Sequence, residues 1–190
     1  MNSKRTLFLI EVAIFAALAI VLDLVPFLSF KIWAQGGSVS FAMIPIFIVA
    51  FRWGIKGGLL AGFLFGILQL ITNPFIVHIA QAFLEYGLAF TLLGMAGIFA
   101  KPVKEALQNG KRRSYFTYIT LGVFLGCLFR FLAHLLAGVV FFAEYAPEGQ
   151  PVWLYSTIYN GSYMLPAFIL STIVVGFVFY KQPRLIKISS

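Results

Sequence analysis

The stretch that constrains this chain most is residues 79–100, IAQAFLEYGLAFTLLGMAGIFA. It has the length and apolarity of a membrane span, yet carries one carboxylate, Glu85, near its start. Placing an ionisable group inside a bilayer costs about 2.5–3.5 kcal/mol on insertion scales. Such a group faces a cavity, a cationic partner in the bundle or a cationic ligand. The residues alone leave all three open.

The rest of the chain repeats the apolar pattern. It is 61% hydrophobic and 11% charged with a mean hydropathy of +0.96, which excludes an ordinary soluble domain and reads as an integral membrane protein. At about 20 residues per span, the length predicts one domain over residues 1–190, an all-α bundle of six transmembrane helices. The spans fall at 7–25, 39–53, 59–72, 79–100, 115–142 and 153–180. Residues 28–40, LSFKIWAQGGSVS, are polar by comparison and read as a loop or a segment folded over one end. Residues 101–113, with five basic residues and one acidic, read as a second loop, and 144–151 as a third. Pro45 and Pro166 mark expected kinks, and Gly62 with Gly66 forms a close-packing pair. The first span is too long for a signal-peptide core and lacks a small-residue cleavage site, so it is expected to stay in the mature protein. Cys127 stands alone, which rules out an intrachain disulfide and a CxxC metal site.

Charge sets the expected orientation. With six spans, one side collects Lys4, Arg5, Arg52, Lys56, Lys101, Lys104, Lys111, Arg112, Arg113, Lys181, Arg184 and Lys187. The other collects Lys31, and Arg130 lies within a span. Twelve against one predicts cytoplasmic N- and C-termini in a multi-pass protein of the cell membrane. The same asymmetry explains the net charge of +8 without nucleic acid.

Depth then follows from the helical rise. Glu85 falls roughly 9 Å below the outer end of its span, and His134 roughly 12 Å below the end of the fifth. Trp33, Tyr155 and Asn160 belong to the same outward layer. A carboxylate, aromatic faces and an amide suit a small, aromatic, cationic ligand: rings attract cations, the carboxylate supplies counter-charge, and asparagine both donates and accepts. Each residue also has a plainer role. Glu85 could pair with Arg130 or His134, the aromatics could form an interfacial belt, and Arg130 could pair with an acid or a helix carbonyl. No HExxH, GxSxG or phosphate-loop motif is present, so the chain offers neither a catalytic residue nor an ATP site of its own, and no metal or cofactor is expected.

Six segments together carry a resemblance: IEVAIFAALAIVLD (10–23), GGSVSFAMIPI (36–46), GLLAGFLFGILQL (58–70), FLEYGLA (83–89), RFLAHLLAGVVFFAEYAP (130–147) and WLYSTIYNG (153–161). Over nearly its full length the chain resembles the thiamine-binding S components (ThiT or YuaJ) of energy-coupling-factor (ECF) vitamin transporters. The resemblance implies an outward-opening thiamine pocket formed by Trp33, Glu85, His134, Gly138, Tyr155 and Asn160, with Tyr86 following Glu85 in its motif. It assigns ring stacking to Trp33 and His134, and polar or ionic contacts to Glu85 and Asn160. Phe142 stands where the family has tryptophan, and further aromatic contacts fall near Phe65 and Phe75. The resemblance also implies that Ala13 and Ala17 dock on a transmembrane coupling subunit, while two ATPase subunits use ATP. Other readings are the same architecture for another vitamin, a stand-alone carrier coupled to protons through Glu85 and His134, and an intramembrane enzyme.

Overall fold

In lipid a chain segment must satisfy its own backbone hydrogen bonds, and long apolar runs do so as helices. The computed structural model describes residues 3–33 and 36–187. Its helices are α1 (Ser3–Leu24), α2 (Met43–Trp53), α3 (Ile55–Thr72), α4 (Ile79–Gln108), α5 (Arg112–Phe141) and α6 (Val152–Lys181). All but α2 are long and apolar enough to cross a membrane.

The segment expected to span over 39–53 is helical only over Met43–Trp53. Eleven helical residues rise about 16 Å, well short of a hydrocarbon core of about 30 Å. Residues 39 and 40 belong to a strand instead, and Pro45 sits in the first turn of α2, where its missing N–H is not needed. The proline thus starts the helix rather than kinking it. Every residue from Met43 to Phe51 is buried, which makes α2 the apolar centre of the bundle.

Residues 28–40 are likewise not a plain loop. They hold an antiparallel hairpin of β1 (Ser29–Trp33) and β2 (Gly36–Ser40), with Ser29 opposite Ser40 and Lys31 opposite Ser38. It is the one departure from an all-α architecture among the described residues. Gln35, part of the expected segment, lies outside the described residues.

α4 changes its winding along its length. It carries a π-helical turn over Phe83–Leu88 and a 3-10 stretch over Leu93–Phe99. It then continues through the basic stretch expected to be a loop, because KPVKEALQ buries Val103 and Ala106 and leaves Lys101 and Glu105 exposed. What remains of that loop is a tight turn at Gly110, whose φ of 65° suits glycine.

The Gly62–Gly66 pair brings α3 against α4. A Cβ on Gly62 would lie 2.9 Å from the Phe90 carbonyl carbon, and one on Gly66 3.0 Å from that of Tyr86, with the carbonyl oxygens nearer still. Ala13 and Ala17 point the other way. Both are exposed, while Val12, Ala16, Ala19 and Ile20 form the inward face of α1. Internal packing does not use the alanine strip.

The basic end is tied by one arginine. Arg52 donates from Nε and Nη2 to the Glu11 carboxylate at 2.5 and 2.6 Å, and Trp53 Nε1 donates to the same group at 2.6 Å. Arg52 Nη1 donates to the carbonyls of Leu185 (2.8 Å) and Lys187 (2.5 Å), and Lys104 Nζ to the Arg52 carbonyl (2.7 Å). α1, the α2–α3 turn, α4 and the segment after α6 meet there.

The α3–α4 contact makes a prediction. Gly66→Val should cost about 1–3 kcal/mol through overpacking, read as a lower unfolding temperature in detergent. Gly161→Ala, in α6 with open space around its Cβ position, should leave that temperature unchanged or raise it slightly.

Candidate functional site

At the end opposite Arg52, the helices enclose a cavity of about 1050 Å³. Its wall comes from the end of α1, the hairpin, α3, the first half of α4, α5 and α6. Of the residues expected at a site, Glu85, Tyr86, His134, Gly138, Phe142, Tyr155 and Asn160 all line it, as do Phe65 and Phe75. They converge from four helices, the residue that ends α5 and the loop before α4.

Glu85 lies in the π-helical turn of α4, the kind of local winding change that is frequent at functional sites. Its Oε2 accepts a hydrogen bond from Gln81 Nε2, one turn earlier. Its Oε1 lies 3.5 Å from His134 Nδ1 on α5. Gln81 is fully buried and also donates to the Phe75 carbonyl (3.0 Å) and accepts from the Val77 N–H (3.2 Å). The Tyr86 hydroxyl accepts from the Phe75 N–H (2.8 Å) and donates to the Asn73 carbonyl (3.3 Å). The π turn therefore holds the carboxylate and the preceding loop together.

The opposite wall is built on α6. Ser156 Oγ donates to the Leu135 carbonyl of α5 (3.1 Å), and a Cβ on Gly138 would collide with that serine. Gly138 thus allows α5 and α6 to close on each other. The Asn160 amide donates to the Ser156 carbonyl (2.9 Å) and Oγ (3.2 Å), and its oxygen accepts from the Tyr163 hydroxyl at 2.5 Å. Both amide hydrogens are thereby used, and the oxygen keeps one acceptor position. Phe142 stacks on Phe75 with ring centroids 6.0 Å apart and planes at 24°, so an aromatic face is present at the position where tryptophan was expected.

Trp33 stands against the lining residues Gly37 and Tyr159. Its ring stacks on Tyr159 at 5.3 Å, and its Nε1 donates to Ser162 Oγ (2.9 Å), so it anchors the hairpin on α6. Among the described residues Arg130 meets neither an acid nor a carbonyl at bonding distance. Its Nε donates to His134 Nε2 (3.3 Å), and its guanidinium carbon stands 4.5 Å above the Phe90 ring. The structural pairing open to Glu85 is accordingly with His134.

Sequence reasoning missed Gln81 and the second carboxylate of the wall, Asp23. Asp23 accepts from Ser29 Oγ (3.2 Å) on the hairpin and from Gln69 Nε2 (2.5 Å) on α3. A usable signal existed for both: Gln81 stands one helical turn before Glu85, and Gln69 and Asp23 are polar residues at the same ends of their apolar runs.

Together these groups form a concave site with two carboxylates, aromatic faces and an amide. No group of three or more His, Cys, Asp or Glu able to hold a metal occurs among the described residues. Replacing Gln81 with leucine should leave the Phe75 carbonyl and the Val77 N–H unpaired. Amide exchange of Val77 should accelerate by roughly 10-fold or more, the size expected for losing one buried hydrogen bond, while that of Phe75, whose N–H is held by the Tyr86 hydroxyl, should not.

Comparison with known proteins places this architecture. Residues 9–187 match the model of the family described as "Thiamine transporter protein (Thia_YuaJ)". The thiamine transporter ThiT of Bacillus subtilis (strain 168) is 45% identical over 189 residues, covering 98% of this chain and 97% of that protein. ThiT of Lacticaseibacillus paracasei is 33% identical, covering 96% and 91%. The solved structure of ThiT from Listeria monocytogenes superposes with a TM-score of 0.90 at 32% identity, over 98% of this chain and all of that one. The chain is a membrane protein of the thiamine transporter family, a family of transporters and not of enzymes.

Proposed function

We propose that this chain is the substrate-binding subunit, or S component, of an ECF-type importer, and that it binds thiamine in the cavity around Glu85. The observation that carries the reading is the cavity itself: a carboxylate, aromatic faces and an amide in one enclosure, in a chain of the thiamine transporter family. Thiamine bears a permanent positive charge on one ring and an aminopyrimidine as the other. Glu85 answers the charge or the amino group, His134 and Phe142 offer ring faces, and Asn160 and Tyr155 make polar contacts. Aromatic faces attract a cation by about 0.5–2 kcal/mol each once water is excluded.

The chain acts as one domain over residues 1–190, with both termini in the cytoplasm and the cavity opening outward. The gathering of basic groups around Arg52 at the other end supports that orientation. Energy comes from two ATPase subunits through a transmembrane coupling subunit, since the sequence has no phosphate loop, and no cofactor is needed here. Ala13 and Ala17 form the docking strip on α1, a role supported by their exposure and small-xxx-small spacing.

Thiamine binding read by tryptophan fluorescence in detergent tests the site. Glu85→Gln should weaken affinity by roughly 10- to 100-fold, the loss expected for a charge-assisted contact, with unchanged expression. Unchanged affinity would return Glu85 to a structural role. Ala13→Leu with Ala17→Leu should keep binding and abolish ATP-driven uptake in vesicles containing the partner subunits. Lost binding with retained fold would sink the docking assignment.

A further inference from the structure

Arg130 brings a fixed positive charge to the wall of a cavity read as taking a cation, and no carboxylate among the described residues stands within ion-pair distance of it. The ion pairs among the described residues are Arg52–Glu11, Lys101–Glu105 and His134–Glu85. Its charge rests instead on the Phe90 face, and its Nε–H is directed at His134 Nε2.

That hydrogen bond has a consequence for the histidine. A guanidinium only donates, and it stays charged throughout the accessible pH range. A neutral imidazole has one donor and one acceptor nitrogen. With Nε2 accepting from Arg130, the ring proton stands on Nδ1, the nitrogen that faces Glu85 Oε1 at 3.5 Å. A glutamine or serine in place of Arg130 could present either a donor or an acceptor, whereas arginine permits one polarity. Among the described residues no other polar group is bonded to the imidazole nitrogens. The Phe90 and Tyr163 rings meet His134 edge to face, with centroids 6.2 and 6.4 Å away, and the Tyr163 hydroxyl is bonded to Asn160. The remaining groups around Arg130 are Cys127 on its own helix and, across the cavity, Asp23, whose carboxylate is held by Ser29 and Gln69.

We infer that Arg130 is a positioning residue: its Nε–H fixes His134 as the Nδ1–H tautomer, so that the imidazole proton is aimed at Glu85 before ligand enters. With Gln81 on one carboxylate oxygen and His134 on the other, Glu85 is oriented in advance, which lowers the ordering cost of binding. The effect on ligand rests on the proposed thiamine site; the tautomer belongs to the ligand-free protein and can be read without it.

The test is a long-range 1H–15N correlation spectrum of 15N-histidine-labelled protein in detergent at pH 8, without thiamine. The chain has two histidines, and His78→Gln assigns them. His78 serves as an internal reference of opposite sense, since its Nδ1 accepts from the Ala80 N–H (3.1 Å) and its proton therefore stands on Nε2. His134 should show a protonated Nδ1 and His78 a protonated Nε2. Arg130→Met should shift His134 toward the Nε2–H form and weaken thiamine binding about tenfold, the loss of one hydrogen bond's worth of preorganisation. A wild-type His134 protonated on Nε2 overturns the inference with no variant needed. So does an Arg130→Met protein whose tautomer is unchanged, or one whose tautomer shifts while affinity stays the same. A wild-type protein that shows the expected tautomers but no thiamine binding counts against the proposed function and not against the Arg130 geometry.

Discussion

The structure depends on holding one carboxylate in an apolar bundle. Glu85 would be costly against lipid tails, and three features keep it away from them. The π-helical turn carries it into the cavity wall, Gln81 supplies a donor from the preceding turn, and His134 approaches from α5. The glycine contacts of α3 make that position possible, because they let the backbone at Tyr86 and Phe90 come against α3 and fix where α4 stands. A side chain on either glycine would push away the turn that holds the carboxylate.

The two ends of the bundle use polar groups in opposite ways. At the basic end Arg52 is saturated by Glu11 and two carbonyls, a bidentate pair of the kind that fixes geometry as well as charge. At the other end the carboxylates are held from behind, by Gln81 for Glu85 and by Ser29 and Gln69 for Asp23, and their cavity side stays open. One end is closed by its own charges; the other is arranged to receive something. α1 joins the two, with Glu11 near one end, Asp23 near the other and an exposed alanine strip between them.

Much of the site was legible in the sequence because helical rise and charge asymmetry set depth. Glu85, His134, Tyr155 and Asn160 fall in one layer by arithmetic alone, and the cavity joins them. What was not legible depends on pairings between distant segments. The hairpin strands SFKIW and GGSVS are short, and the second is rich in glycine and serine, so neither shows a strand signature. The basic run after residue 100 looks like a loop by charge, yet its Val103 and Ala106 fall on one buried face and extend α4 by two turns. Trp33 was placed at the correct end, while its contacts with Tyr159 and Ser162 depend on how the hairpin meets α6. Arg130 was expected to find an acid or carbonyl; its Nε–H meets an imidazole acceptor four residues along its own helix instead.

The central claim is that thiamine occupies this cavity with its charge or amino group answered by Glu85. An experimental structure of the protein saturated with thiamine tests it most directly. One ligand is expected between α4, α5 and α6, within hydrogen-bond or ion-pair distance of the Glu85 carboxylate and with a ring face against His134 or Phe142. A thiamine bound elsewhere on the protein, or one in the cavity with Glu85 still closed on His134 and Gln81 and untouched by the ligand, would contradict it.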